Sequence, residues 1–91
     1  MTIENDKLTF SWGQDIQPDL NDLKNTGLYK YGTKSVSNLP DYTANAFFVL
    51  VFKYDTDYTM QMYVSFHVNN TTTCYIRAYW ANEWKNWLKL G

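Results

Sequence analysis

Several polar and aromatic side chains alternate along two neighbouring stretches of the sequence, in a pattern that could bind a ligand. Tyr63 and His67 share one parity of the first stretch, and Tyr75, Arg77 and Tyr79 share one parity of the second. Residues of one parity lie on one face of a strand, so a hairpin would gather these side chains on one face. Flat aromatic rings beside hydrogen-bond donors suit the apolar C–H patches and hydroxyls of a sugar.

Two tryptophans follow this pattern closely and would lie at the margin of the same face. The candidate ligand-binding residues are therefore Tyr63, His67, Tyr75, Arg77, Tyr79, Trp84 and Trp87. Tyr and Arg are also favoured at protein interfaces, so the same face could instead be a seam between subunits or lie beneath a helix. Composition does not separate these alternatives.

The residue types that catalysis requires do not assemble in this sequence. The chain has one His and one Cys, and its carboxylates fall mainly in predicted loops and in a short predicted helix. Cys74 has the parity expected to face inward, so we expect a buried thiol rather than a nucleophile. Asp55 and Asp57 supply too few oxygens for calcium. We expect no enzyme activity, no metal and no cofactor.

Charge and hydropathy also restrict the partners. Eight Lys and Arg face nine Asp and Glu, for a net charge of -1, so nucleic acid is a poorly supported partner. No apolar run approaches the about 20 residues that a membrane helix requires, and we expect no membrane insertion. The first residues do not resemble a signal peptide.

The elements that must position the candidate residues are organised around one apolar run, residues 46–52. Phe48, Leu50 and Phe52 have one parity, and Phe47 and Val49 have the other. Aromatic and β-branched residues over this length predict a strand. Because both parities are apolar, we expect this strand in the middle of a sheet with both faces covered.

The two candidate-bearing stretches form a hairpin in this interpretation. Along residues 60–68 and 72–80, apolar residues alternate with polar and aromatic ones. This pattern predicts two strands with the apolar face inward. The register that keeps like residues together pairs Phe66 with Ile76 and Val64 with Ala78. On the opposite face it pairs Tyr63 with Tyr79.

The remaining elements are shorter. Residues 1–6 are expected to be a loose arm, residues 7–12 a strand, residues 18–24 a short helix that covers one side of the central strand, and residues 28–31 a strand. Residues 32–45 are read as a surface loop with Leu39 or Tyr42 tucked down. Residues 84–90 form a final strand or, alternatively, one helical turn.

These elements predict one domain over residues 1–91. Its fold class is α+β and mainly β: an antiparallel sheet of about five or six strands with one short helix packed on it.

The order of these elements resembles a known family. The residues that carry the likeness are Asp-Leu-Asn-Asp-Leu-Lys-Asn-Thr-Gly-Leu-Tyr at 19–29, a loop with Asn38 and Pro40, Phe-Val-Leu-Val-Phe at 48–52, Gln-Met-Tyr at 61–63, Arg77, and Trp-Lys-Asn-Trp at 84–87. Over residues 18–90 the chain resembles the knob domain of R-type pyocin and bacteriophage tail fibres.

This resemblance implies a function and a location. Domains of that family are small β-rich modules in trimeric fibres, where they serve attachment and host recognition. The resemblance therefore implies a receptor-binding module in a virion tail fibre, made in the bacterial cytoplasm, that acts as a homotrimer on host cell-surface glycan. The alternative is a structural trimerisation or capping domain with no ligand of its own. The family shares no catalytic residues, so the resemblance assigns none.

Overall fold

The computed structural model describes residues 2–4, 7–9, 11–14, 16–32, 35–44, 46–69 and 71–91. Its elements in chain order are β1 (Thr2–Glu4), β2 (Lys7–Thr9), a 3-10 helix (Leu20–Asp22), β3 (Gly27–Tyr31), β4 (Ala46–Lys53), β5 (Thr59–Phe66), β6 (Thr72–Trp80), β7 (Glu83–Trp84) and β8 (Leu88–Leu90). No helix of this part of the chain has the length and apolar character to cross a membrane.

Strands β3 to β8 form one antiparallel sheet of six strands, as the sequence predicted. The order is β3-β4-β5-β6-β7, and β8 pairs with the same edge of β6 as β7 does. The apolar run of residues 46–52 is β4, which lies between β3 and β5. The central strand is therefore confirmed. Outside this sheet, β1 pairs with β2, where a loose arm was expected.

The sheet has one well-covered face, which contradicts the expectation that β4 is covered on both sides. Phe47, Val49 and Val51 are buried, whereas Phe52 on the other parity is 50% exposed. Trp12 packs against Phe48, with 6.3 Å between the ring centroids, and supplies part of the cover there. One side of β4 thus forms the core, and the other side remains half open.

The two faces of β5 and β6 are reversed relative to the prediction. Gln61, Tyr63 and Ser65 are each 0% exposed, and Arg77 is 6% exposed, so the face predicted to lie opposite the core is itself the core. Of the alternatives left open for this face, cover by the 18–24 segment is the one nearest to the structure. We call this face the covered face: Phe47, Val49, Val51, Gln61, Tyr63, Ser65, Tyr75 and Arg77. The other parity is the open face: Phe48, Leu50, Phe52, Met60, Met62, Val64, Phe66, Cys74, Ile76, Ala78 and Trp80. The thiol of Cys74 is half-buried on that face, so the prediction of an inward-facing, buried thiol is wrong.

The hairpin register also differs from the prediction. Met62 lies opposite Ile76 and Tyr63 lies opposite Tyr75, instead of the predicted Phe66–Ile76 and Tyr63–Tyr79 pairs. The observed register still keeps each parity on one face, because it differs from the predicted one by an even number of residues. Side-chain parity alone therefore could not separate the two registers.

The cover of the core consists of irregular chain rather than the predicted helix over residues 18–24. Only Leu20–Asp22 is helical, as a single 3-10 turn capped by the Asp19 side chain, which accepts a hydrogen bond from Asn21 N at 2.9 Å. Leu20 and Leu23 are nonetheless buried, so the predicted apolar positions do contact the sheet. The turn ends at Leu23, whose backbone is not helical (φ -88°, ψ 86°) and whose carbonyl accepts a hydrogen bond from Gln61 of the sheet.

The second part of the cover is the predicted loop over residues 32–45. Ser37 N donates to Pro18 O at 2.9 Å and Leu20 N donates to Ser37 O at 3.1 Å, which joins this loop to the 3-10 turn. Leu39 packs against the core, as expected, while Tyr42 is 68% exposed. The loop and the turn together roof the covered face.

The carboxyl-terminal segment is neither one strand nor a helical turn. Glu83–Trp84 and Leu88–Leu90 are two short strands on one edge of β6, separated by three residues outside the ladder. The turn before them has Ala81 at φ 54° and Asn82 at φ 62°. Two residues with positive φ form the hairpin turn whose twist suits neighbouring strands. Trp84 is thereby placed opposite Tyr79 on the parity of the covered face. Phe10, part of the predicted strand over residues 7–12, lies outside the described residues.

Candidate functional site

The deepest polar feature of the covered face is a network around Gln61 and Arg77. Gln61 Nε2 donates to Leu20 O at 2.7 Å and to Leu23 O at 2.8 Å. Its Oε1 accepts a hydrogen bond from Arg77 Nε at 2.9 Å. Each polar group of the Gln61 side chain is therefore used, and one amide joins the roof to the guanidinium. This explains why a glutamine is fully buried here.

Arg77 itself is buried without a carboxylate partner. The two ion pairs found among the described residues join His67 to Asp41 and Lys85 to Glu83, and neither involves Arg77. Burial lowers the pKa of Arg77 to about 10, which leaves the guanidinium charged at neutral pH. A buried charge is normally paired with an opposite charge, so this one is unusual.

Two indoles contact the Arg77 guanidinium in place of a carboxylate. Its Cζ lies 4.1 Å from the Trp84 ring centroid and 4.4 Å from that of Trp87. Cation–π contacts with desolvated rings stabilise a cation by about 2 kcal/mol or more. They do not supply hydrogen-bond acceptors in the guanidinium plane, and Nη2 of Arg77 is buried with no hydrogen-bond partner.

The two indoles are fixed in place by backbone carbonyls of the roof. Trp84 Nε1 donates to Asn21 O at 3.0 Å, and Trp87 Nε1 donates to Asn38 O at 3.2 Å. Asn38 Nδ2 in turn donates to the Asp19 carboxylate at 2.7 Å, and this bond lowers the pKa of Asp19. Both indole N–H groups are thus occupied. The part of each ring that lines the cleft can contact a ligand.

These residues surround a cleft of about 320 Å³ that opens to solvent. We call it the Arg77 cleft, and its lining residues are Asn21, Asn38, Leu39, Tyr42, Arg77, Trp84, Lys85, Asn86 and Trp87. The volume lies at the lower end of the range for small-molecule sites. Amides, a phenol and two cations accompany the indoles, which is the mixture of apolar contact and few polar groups that such sites contain.

The Arg77 cleft holds two orphan polar atoms of opposite type. Among the described residues, the buried side-chain atoms without a hydrogen-bond partner are Arg77 Nη2, a donor, and Asn21 Oδ1, an acceptor. An unpaired buried polar atom costs about 1–3 kcal/mol, so such atoms are rare unless a ligand or water satisfies them. A hydroxyl group both donates and accepts, but both atoms are buried, so it would reach them only if side chains of the cleft moved aside.

Three of the seven candidate residues predicted from the sequence meet in this cleft: Arg77, Trp84 and Trp87. Tyr63 lies beneath it in the core, 6.0 Å from Trp87 between ring centroids, and is inaccessible to a ligand. Burial raises the pKa of Tyr63, whose hydroxyl donates to Asp41 O at 3.1 Å. The role of Tyr63 that the structure supports is packing.

The other three candidates lie outside the cleft. His67 Nε2 lies 3.3 Å from Ser65 Oγ and 3.5 Å from Asp41 Oδ2 at the hairpin end of the sheet. Tyr75 packs edge-on against Tyr63, and Tyr79 packs edge-on against Trp84, with 5.3 Å between the last two centroids. Lys24 lies over the Tyr79 ring. These tyrosines and the histidine line the margins of the covered face rather than one joint surface.

Sequence reasoning missed the asparagines of the cleft. Asn38 falls in the predicted loop, and Asn21 and Asn86 are polar positions of segments 18–24 and 84–90, where polar residues are common for many reasons. One local signal existed, because asparagine tolerates positive φ better than most residues and Asn38 has φ 64°. Its contact with Asp19 joins residues 19 apart in the chain, which no local pattern encodes.

No family model, curated protein or solved structure matches this chain.

Proposed function

We propose that this chain is a non-enzymatic recognition module that binds carbohydrate on a host cell surface. The observation that carries the proposal is the Arg77 cleft, in which two immobilised indoles flank a buried donor and a buried acceptor that lack partners. Sugars combine apolar C–H patches with hydroxyls that donate and accept at the same group. The indole faces match the former, and the orphan atoms match the latter.

The wider setting proposed for this module is the distal part of a phage or phage-derived tail fibre. Its support is the resemblance of the motifs at 19–29 and 84–87 to the knob domain of such fibres. Both motifs contribute directly to the Arg77 cleft: Asn21 lies in the first, and Trp84 and Trp87 lie in the second. The residues that carry the likeness are therefore residues that form the candidate site.

A matched pair of tryptophan variants tests the binding proposal. Trp84→Ala removes one wall of the cleft, and Trp80→Ala removes an indole of the open face. Binding to a glycan array and to bacterial cells should be lost in the first variant and kept in the second. Thermal unfolding of both variants confirms that they are folded. Equal binding by both variants, or no glycan bound by the natural chain, would contradict the proposal.

A second candidate function, self-association as the trimerisation unit of a fibre, is favoured by the open face. Its residues on β4, β5 and β6 include no charged side chain, and Phe52, Phe66 and Trp80 are about half exposed.

The occupants proposed for the open face are the other two copies of this chain in a trimer. Uncharged sheet faces can meet around a common axis without leaving a buried charge. The seam that the sequence suggested for the tyrosine-rich face would then lie on the opposite face. Carbohydrate binding and self-association are compatible, because they use different sides of the sheet.

Light scattering after size exclusion tests this candidate. We expect the natural chain to have about three times the monomer mass of 10.8 kDa. Met62→Lys places a charge at the centre of the open face and should yield the monomer, while Thr56→Lys in an exposed turn should leave the mass unchanged. A natural chain that stays monomeric at the highest concentration reached would end the self-association proposal and leave carbohydrate binding intact.

A further inference from the structure

The charge state of the Arg77 cleft points to a particular class of sugar. Arg77 lines the cleft, and its guanidinium has no carboxylate within ion-pair distance among the described residues. Lys85 adds a second cation to the lining, although its Nζ contacts Glu83 Oε1 at 2.6 Å. No acidic side chain belongs to the lining itself. The cleft therefore carries positive charge that the protein does not neutralise locally.

The hydrogen-bonding of Arg77 leaves one part of the guanidinium for a ligand. Nε is used by Gln61 at 2.9 Å, and the two indoles contact the π system. The terminal nitrogens remain, and Nη2 is the buried atom without a partner. Arginine binds carboxylates through paired N–H groups in the guanidinium plane, with bonds that are about twice as strong as neutral ones.

The nearest candidate counter-ion within the chain is already engaged. The Asp19 carboxylate raises the pKa of Arg77 at a distance, but it accepts hydrogen bonds from Asn38 Nδ2 at 2.7 Å and Asn21 N at 2.9 Å. These bonds hold Asp19 as the cap of the 3-10 turn. Asp19 cannot move to Arg77 without breaking the turn that roofs the cleft.

We propose that the Arg77 cleft selects acidic sugars, whose carboxylate pairs with the Arg77 guanidinium while the ring contacts Trp84 and Trp87. This inference rests on the proposed carbohydrate-binding function and specifies its ligand class. The carboxylate supplies the missing counter-charge. Because Arg77 Nη2 and Asn21 Oδ1 are buried, side chains of the cleft would move aside for these atoms to bond a sugar. A neutral sugar would bond the same atoms without neutralising the charge.

Two probes that differ at a single carbon test this selection. Methyl β-glucuronide carries a carboxylate where methyl β-glucoside carries a hydroxymethyl group, so their affinities isolate the charge. A titration monitored by NMR should show that the glucuronide binds about tenfold or more tightly than the glucoside, as one charge-assisted hydrogen bond implies. Glucose 6-phosphate serves as a third probe, and tighter binding of the phosphate than of the glucuronide would overturn the carboxylate assignment.

A variant at the rim of the cleft tests the location without disturbing the core. Asn86 is exposed and lines the cleft, so Asn86→Asp adds a negative charge there. It should weaken glucuronide binding several-fold and glucoside binding less, because the added charge repels only the carboxylate. The matched control is Asn69→Asp in the β5–β6 hairpin, where the acceptor used by Thr71 is retained. This control should bind both probes as the natural chain does.

The outcomes separate this inference from the proposed function. Equal affinity for glucuronide and glucoside, with both lost in Trp84→Ala, would overturn acidic selectivity and keep carbohydrate binding. Glucuronide binding that is insensitive to Asn86→Asp would also overturn it, because the carboxylate would then bind elsewhere. Failure of glycan arrays and both probes to bind the folded natural chain would remove the proposed function and this inference with it.

Discussion

The two faces of the six-stranded sheet differ in a way that the usual rule for sheets does not predict. The open face is almost entirely apolar, yet Phe52, Phe66 and Trp80 are about half exposed. The covered face contains glutamine, serine and arginine, yet Gln61 and Ser65 are 0% exposed. Hydrophobicity therefore did not decide which face the irregular chain segments cover in the isolated domain.

The face that is covered is the one that offers hydrogen-bond partners to the irregular segments. Gln61 satisfies two carbonyls of the roof, and Tyr31 and Tyr63 donate to the backbone of the roof at Gln17 and Asp41. Burial raises the pKa of Tyr31 to about 12, which keeps the donating phenol form at neutral pH. Irregular segments expose many backbone carbonyls, and a purely apolar face would leave them unsatisfied. A face that supplies donors is thus the better partner for a roof of loops.

The largest effect should come from the polar residue at the centre of the covered face. Gln61→Leu leaves Leu23 O and Arg77 Nε without a partner and leaves Leu20 O with only the bond from Leu23 N, and should destabilise the domain by about 4 kcal/mol. The neighbouring change Met62→Leu on the open face conserves volume and should cost about 1 kcal/mol or less. Chemical denaturation measures both. Similar costs would show that the covered face is not held by this network.

A smaller loss of stability is expected from a substitution at Gly13, which lies against Tyr29 of the core. A Cβ built on Gly13 would lie 2.7 Å from Tyr29 Cδ1, and Tyr29 is buried. Gly13→Ala should therefore cost about 2 kcal/mol through overpacking. A Cβ on Gly32 meets nothing within 4 Å, so Gly32→Ala is the control. Thermal unfolding should separate the two, and an unchanged Gly13→Ala melting temperature would contradict the packing described.

A glycine in the turn that brings Trp84 to the covered face should raise the stability of the domain instead of lowering it. Ala81 has φ 54°, a conformation that costs a residue with a side chain about 1–2 kcal/mol relative to glycine. Ala81→Gly should stabilise the domain by about 1 kcal/mol after the added flexibility of the unfolded chain is counted. The measurement is the denaturation midpoint. A loss of stability would show that this turn is not in the positive-φ conformation.

The smallest effect on stability should come from Asp19, which caps the 3-10 turn. The hydrogen bond from Asn38, and then that from Asn21 N, lower the pKa of Asp19 below its ordinary 3.8. A carboxyl group whose pKa is lower in the folded chain than in the unfolded chain stabilises the fold. This contribution is complete above the unfolded-state pKa and is lost as the pH falls through the folded-state pKa. Asp19→Asn keeps an oxygen acceptor and should lose less stability than the natural chain between about pH 6 and pH 3. Identical acid profiles would exclude this contribution.

Periodicity predicted the strands and their neighbours but not the side that is covered. The period-2 patterns of residues 60–68 and 72–80, and the apolar run at 46–52, correspond closely to β5, β6 and β4. A period states that two faces differ, and it contains no information on where a distant loop will pack. The reversal of faces followed from contacts such as Gln61 with Leu20, which join residues 41 apart.

The candidate site was also only partly predictable, because some of its residues are brought in by contacts between distant parts of the chain. Arg77, Trp84 and Trp87 were identified because they are rare residue types close together in the chain. The asparagines of the roof were not, since their position depends on the cap at Asp19 and the link between Ser37 and Leu20. The short helix over residues 18–24 was wrong because the chain leaves helical geometry at Leu23, whose carbonyl accepts a hydrogen bond from Gln61 of the sheet.

The four tryptophans provide the most direct measurement of the central claim, since they are divided between the two sides of the sheet. Trp84 and Trp87 line the Arg77 cleft, whereas Trp12 and Trp80 belong to the open side. Titrating the ¹⁵N-labelled chain with methyl β-glucuronide should shift the indole N–H signals of Trp84 and Trp87 and leave those of Trp12 and Trp80 in place. Shifts confined to Trp12 and Trp80, or no shift at any indole, would contradict a sugar site on the covered face.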